Sequence, residues 1–164
     1  MAGITGTLTS NLVARLTATA AGVSARVAAI ESADASVRTP AIRTVLAQNV
    51  SVELAEKAGE TYYPALFVYC DKVQNTLVEK FREFSGKARV VVDVRHSEDG
   101  LSALELHLQV YVDAVCALLD DSRGGWGDGA FYGGGYEVNY EAVVRGGKNF
   151  LQRAKVSFEV EVSK

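Results

Sequence analysis

The residues able to do chemistry are few and far apart. His96 and His107 are the only histidines, and Cys70 and Cys116 the only cysteines, in 164 residues. His96 falls on a predicted strand and His107 on a predicted helix. That pairing offers no metal-ligand spacing, and neither cysteine lies in a Cys-x-x-Cys pattern, so no metal site is expected. No Ser/His/Asp or Cys/His arrangement is marked by its order, since such sites assemble in space. Cys116 with His107 comes nearest to one. The expectation is a protein that is not an enzyme and carries no cofactor.

The densest pattern is Asp120–Tyr140, DDSRGGWGDGAFYGGGYEVNY. A phosphate loop needs Gly-x-x-x-x-Gly-Lys followed by Ser or Thr, between a strand and a helix. Here no Lys, Ser or Thr follows the glycines, and the segment runs from helix into strand. It therefore aims no helix N-terminus at an anion. An arm over residues 122–135 fits better. Its glycines ease unusual backbone angles and raise the entropy cost of ordering. Trp126, Phe131 and Tyr132 are costly to leave in water and are of the type that anchors interfaces. They either fold back on the chain's own surface or lock onto an adjacent subunit. Arg15 and Arg26, eleven residues apart, project from nearly one side of a predicted helix. They make either a solvated stripe or an ion-pairing edge against a partner. The candidate inter-subunit residues are thus Trp126, Phe131, Tyr132, Arg15 and Arg26.

The elements that must position these groups follow from periodicity. Leu12, Leu16, Ala20, Val23, Val27 and Ile30 recur at helical spacing and predict one alanine-rich helix over 8–31, with Thr7 or Thr9 as cap. TPAIRTVLAQN predicts a short helix with Pro40 at its first position, and SVELAEKAGE another closed by Gly59. YYPALFVYCDKVQ reads as a strand with Pro64 at its start. Residues 72–84 read as strand or as helix. In the strand reading Phe81 alternates with Glu79 and Glu83, and a Ser85–Lys87 turn leads into the strand around Val90, Val92 and Val94. Leu101, Leu104, Leu108, Tyr111, Val112, Val115 and Leu119 share one side of a long helix, capped by Ser97 or Asp99. Tyr136–Val144 and Val156–Val162 alternate about an RGGKN turn, predicting a C-terminal hairpin with one apolar and one acidic face. The acidic face carries Glu137, Glu141, Glu159 and Glu161, and such a face repels DNA.

These elements predict a single α+β domain over 1–164. Residues 1–60 form a helical N-terminal part, and 61–164 a sheet core with one long helix. The sheet is expected to be mostly antiparallel, with four or five strands and the helices on one face. The length suffices to bury a core. A formal charge of −3 argues against gripping nucleic acid, which needs a basic surface. No signal peptide is recognised, and the apolar runs read as too short to span a bilayer. Both cysteines sit among apolar neighbours and read as buried free thiols.

The helix LTSNLVARL, the strands PALFVYC and ARVVVDV, the helix ALELHLQVYVDAVCALL and the closing AKVSFEVEVSK together resemble the tail terminator, or tail-completion, proteins of long-tailed bacteriophages. Related neck proteins of the head–tail connector look alike at this level. The resemblance covers about two-thirds of the chain and leaves Ser32–Gly59 unmatched. It implies a small α+β subunit, made in the host cytoplasm and placed in the virion. That subunit forms a ring, commonly a hexamer, that caps the tail tube and joins it to the neck. DNA passes through such a ring without specific binding. Alternatives are another neck ring, a small-molecule-binding domain with residues 122–135 as a lid, or a cellular adaptor using the same arm.

Overall fold

The computed structural model describes residues 3–146 and 149–164. The predicted first helix is two: α1 (Ile4–Thr17) and α2 (Val23–Ala33). The chain doubles back between them, where Gly22 N–H donates to the Ala18 carbonyl at 2.8 Å. A Cβ on Gly22 would lie 2.2 Å from that oxygen, so only glycine fits the reversal. α1 starts at Gly3 without a side-chain cap, and Thr9 instead bonds back to the Thr5 carbonyl at 2.9 Å.

The predicted helix after Thr39 is instead a short strand, β1 (Thr44–Leu46), followed by α3 (Val52–Ala58). Thr44 Oγ1 donates to Tyr62 O at 2.8 Å and accepts from Tyr62 N at 3.0 Å. Those bonds, with the β-branched Ile42, Thr44 and Val45, outweigh the helix-start signal at Pro40. α3 matches its expected place: Ser51 caps it and Gly59 ends it in the left-handed region.

β2 (Ala65–Asn75) and β3 (Ser85–Glu98) form a long hairpin, and Pro64 stands just before β2 as expected. The turn is not Ser85–Lys87, which lies inside β3. The chain between Asn75 and Ser85 is neither strand nor helix. Asn75 Oδ1 organises this loop by accepting from Leu77 N and Ser85 N. α4 (Leu101–Asp121) then crosses the sheet, with Gly100 and not Ser97 or Asp99 at its N-cap.

Beyond α4 come β4 (Gly124–Gly127), β5 (Ala130–Tyr132), β6 (Glu137–Tyr140), β7 (Val144–Gly146) and β8 (Asn149–Ser163). The middle of the predicted RGGKN turn lies outside the described residues. The sheet runs β1-β2-β3-β8-β5-β4, with β6 and β7 also paired to β8. β1 is parallel to β2 and the other pairings are antiparallel. The fold is therefore α+β as expected, but its sheet is mixed and eight-stranded. The extra strands are β1, the glycine-rich hairpin β4–β5, and the division of one hairpin arm into β6 and β7.

One face of the sheet carries the main core. Leu108, Tyr111, Val112, Val115 and Leu119 of α4 meet Val90, Val92 and Val94 of β3 and Val156, Phe158 and Val160 of β8. Each such burial contributes about 1.5–3 kcal/mol relative to exposure. By length and composition α4 could cross a membrane, but its apolar side is spent on this core. α3 lies on the opposite face, where Ala55 packs with Ala65 and Phe67. The helices thus occupy both faces, not one.

Candidate functional site

Trp126 and Tyr132 are buried in the chain's own core, while Phe131 is 50% exposed. The segment expected to be a free arm is a hairpin. Asp128 and Gly129, both at positive φ, make its two-residue turn. Alternation along β5 sends Tyr132 inward and Phe131 outward. The Trp126, Tyr132 and Phe158 rings form a cluster with centroids 5.0–5.8 Å apart. Trp126 Nε1 donates to Ser122 O at 2.8 Å, satisfying the buried indole.

The two arginines do not share a stripe, because the break after α1 puts them on different helices. Arg15 lies over the Trp126 ring at 4.9 Å and donates to Asn11 Oδ1 at 2.8 Å. Asn11 Nδ2 in turn donates to Trp126 O at 2.7 Å. Arg26 holds Asp121 at 2.6 Å and the Ala117 carbonyl at 3.2 Å. The structure thus joins Arg15, Trp126 and Tyr132 within one chain, leaves Phe131 outside, and holds Arg26 against α4.

The exposed apolar side chains are elsewhere. Leu77, Val78 and Phe81 stand on the loop between β2 and β3, with Phe81 fully exposed. Val78 and Phe131 line one cleft with Val162 at the C-terminal end of β8. At the other end of β8, Leu101, Val144 and Phe150 line a second cleft. Phe150 and Glu161 are eleven residues apart on one strand, a span of about 36 Å. Phe131 pairs directly with Glu161.

The expected acidic face is of mixed sign. Lys87 meets Glu159 at 3.1 Å, Arg89 pairs with Asp71, and Glu141 lies between Arg153 at 3.2 Å and Lys155 at 3.8 Å. The bases come from β3 and β8 themselves and pair with Glu141 and Glu159, while Glu137 and Glu161 form no ion pair among the described residues. Beneath α3 the same sheet face holds a buried ion network. Asp93 accepts from Arg95 Nη2 and Arg153 Nη2, both at 2.9 Å, and Arg95 lies over the Phe67 ring at 4.2 Å.

The two histidines meet. His96 and Glu98 sit two apart on β3 and face the same side, and the link of Asp99 and Gly100 swings α4 back across them. Glu98 Oε1 lies 2.9 Å from His96 Nε2 and also bonds His107 Nδ1. The expectation of no metal-ligand spacing fails here, because sequence distance conceals a short turn. Burial lowers the His96 pKa below its ordinary value, against the pull of Glu98. At Glu98 burial pushes upward, but hydrogen bonds from both imidazoles prevail and lower it. Cys116 lies about two and a half helical turns beyond His107, on the other side of α4, and no thiol–imidazole bond is formed among the described residues. Both cysteines are free.

No protein-family model matches this chain, and no curated protein sequence matches it.

Proposed function

We propose that this protein is a structural virion subunit, a tail terminator that assembles into a ring, caps a phage tail tube and joins it to the neck. The observation that carries the reading is the pair of apolar patches at opposite ends of β8. One holds Val78 and Phe131, the other Leu101, Val144 and Phe150. A ring built by rotation needs two different, mutually fitting patches on each subunit. Leu77, Val78 and Phe81 are all exposed on one loop, and apolar side chains grouped in this way mark interaction sites. The short edge strand β1 and the outer sides of β6 and β7 offer further backbone for a neighbour to pair with. A mixed-sign sheet face suits a wall past which DNA slides, since it offers no run of bases to hold phosphates.

The inter-subunit role passes from Trp126, Tyr132 and Arg15, which are engaged within the chain, to Phe131 and the loop after β2. The lid reading is less favoured, because the glycine-rich segment is pinned by two core aromatics. Mass measurement of the purified protein, alone and with isolated tail tubes, tests the proposal, with direct imaging of the particles. Closed rings of one size that dock on tube ends are expected. A strict monomer at high concentration that ignores tubes overturns it.

A further inference from the structure

We propose that His96, Glu98 and His107 bind one divalent transition-metal ion, Zn2+, that clamps the start of α4 to the end of β3. This stands apart from the ring reading and depends only on the local geometry. Two imidazole nitrogens and one carboxylate oxygen lie within 4.8 Å of one another. Zn2+ takes such donors at about 2.0–2.2 Å in a tetrahedral array, which sets them about 3.4 Å apart. The widest pair therefore contracts by no more than about 1.4 Å, while Glu98 Oε1, now at hydrogen-bond distance from both imidazoles, moves away from His96 Nε2 by about 0.5 Å. Glu98 and His107 keep 16% and 15% side-chain exposure, so they have room to make that adjustment.

His96 supplies an independent observation. It is 98% buried and projects from β3 with Nε2 aimed into the cluster, while its Nδ1 has no hydrogen-bond partner among the described residues. Glu98 holds Nε2 at 2.9 Å, so packing and this bond already fix the ring with one nitrogen facing the cluster. The donor set also chooses the ion. Calcium and magnesium favour oxygen cages, whereas imidazoles with a carboxylate suit zinc and its neighbours. Three protein ligands leave one tetrahedral position, on the partly exposed side of Glu98 and His107, for water.

The test uses tag-free protein stripped of metal by chelator and dialysis. Zn2+ is titrated by calorimetry, and Co2+ by visible absorption as a geometry probe. One ion per chain, four-coordinate Co2+ bands displaced by Zn2+, and a rise of about 5–10 °C in Tm at a hundredfold excess over Kd are expected. His96→Ala opens a buried cavity, so the partly exposed ligands carry the test. His107→Ala and Glu98→Gln, each with wild-type circular dichroism in the metal-free state, should weaken Zn2+ binding by at least about tenfold to a hundredfold. Absence of binding to the wild-type protein overturns the proposal. So does binding that neither substitution weakens.

Discussion

The Arg15 guanidinium stands 4.9 Å above the ring of Trp126, and Asn11 bonds to both residues. α1 is thereby stapled to the glycine-rich hairpin, across a sequence gap of more than a hundred residues. Trp126→Ala should destabilise the monomer by about 3–5 kcal/mol, the cost of emptying a buried aromatic site. Arg15→Ala should cost about 1 kcal/mol through the lost cation–π contact. Urea unfolding followed by circular dichroism checks both. Since Trp126 is the only tryptophan, its native emission should be blue-shifted.

Assembly should depend on a different set of residues. Val78→Glu and Phe81→Glu place charge on exposed apolar positions and should leave stability within about 0.5 kcal/mol of wild type. If the loop after β2 is the subunit contact, both variants should sediment as monomers. Rings that persist in the double variant would remove this loop from the interface.

Asp93 is wholly buried between Arg95 and Arg153. Asp93→Ala leaves the buried Arg95 charge without its carboxylate and should cost about 3–5 kcal/mol. Adding Arg95→Met should recover a large part of that loss, because the uncompensated charge goes too. A double-mutant cycle in denaturant measures the recovery.

Gly129 has φ 79°, and a Cβ there would fall 2.0 Å from the Ser163 carbonyl oxygen. Gly129→Ala should destabilise by about 1–3 kcal/mol through backbone strain at the hairpin turn. Gly133→Ala, whose nearest neighbour would be a Phe131 ring atom at 3.8 Å, is the control and should cost far less. Thermal unfolding of the pair separates close approach from the general effect of removing a glycine.

Burial pushes the Cys70 and Cys116 thiols up to about 11, with Asp71 adding to the shift at Cys70 and Asp113 and Asp120 at Cys116. At pH 8 only about one thiol in a thousand is then ionised. Both cysteines should react slowly with a thiol reagent in the folded protein. The rate should climb close to tenfold for each pH unit between 7 and 10, and a flat fast rate would contradict the burial.

Much of the architecture could be read directly. The α4 face from Leu104 to Leu119, the strands β2 and β3, α3 between Ser51 and Gly59, and the inward register of β8 all follow from patterns within a few residues. The Gly-rich hairpin also has a local signal: Asp128-Gly129 between Trp126 and Ala130 is the two-residue turn that makes β4 and β5 strands. The break before Gly22 had a weaker mark, a glycine after a run of threonine and alanine.

Other features belong to the tertiary structure alone. β1 exists because Thr44 finds Tyr62 and Ala65 finds a parallel partner, contacts that no window around residue 44 contains. Arg15 meets Trp126, and His96 meets His107, only once the sheet has curled and α4 has crossed it. Periodicity records which face of a segment seeks burial, because that depends on neighbours three or four residues away. Which segments meet, and which side chains converge, depends on long-range pairing and packing, and that information appears only when the chain has closed on itself.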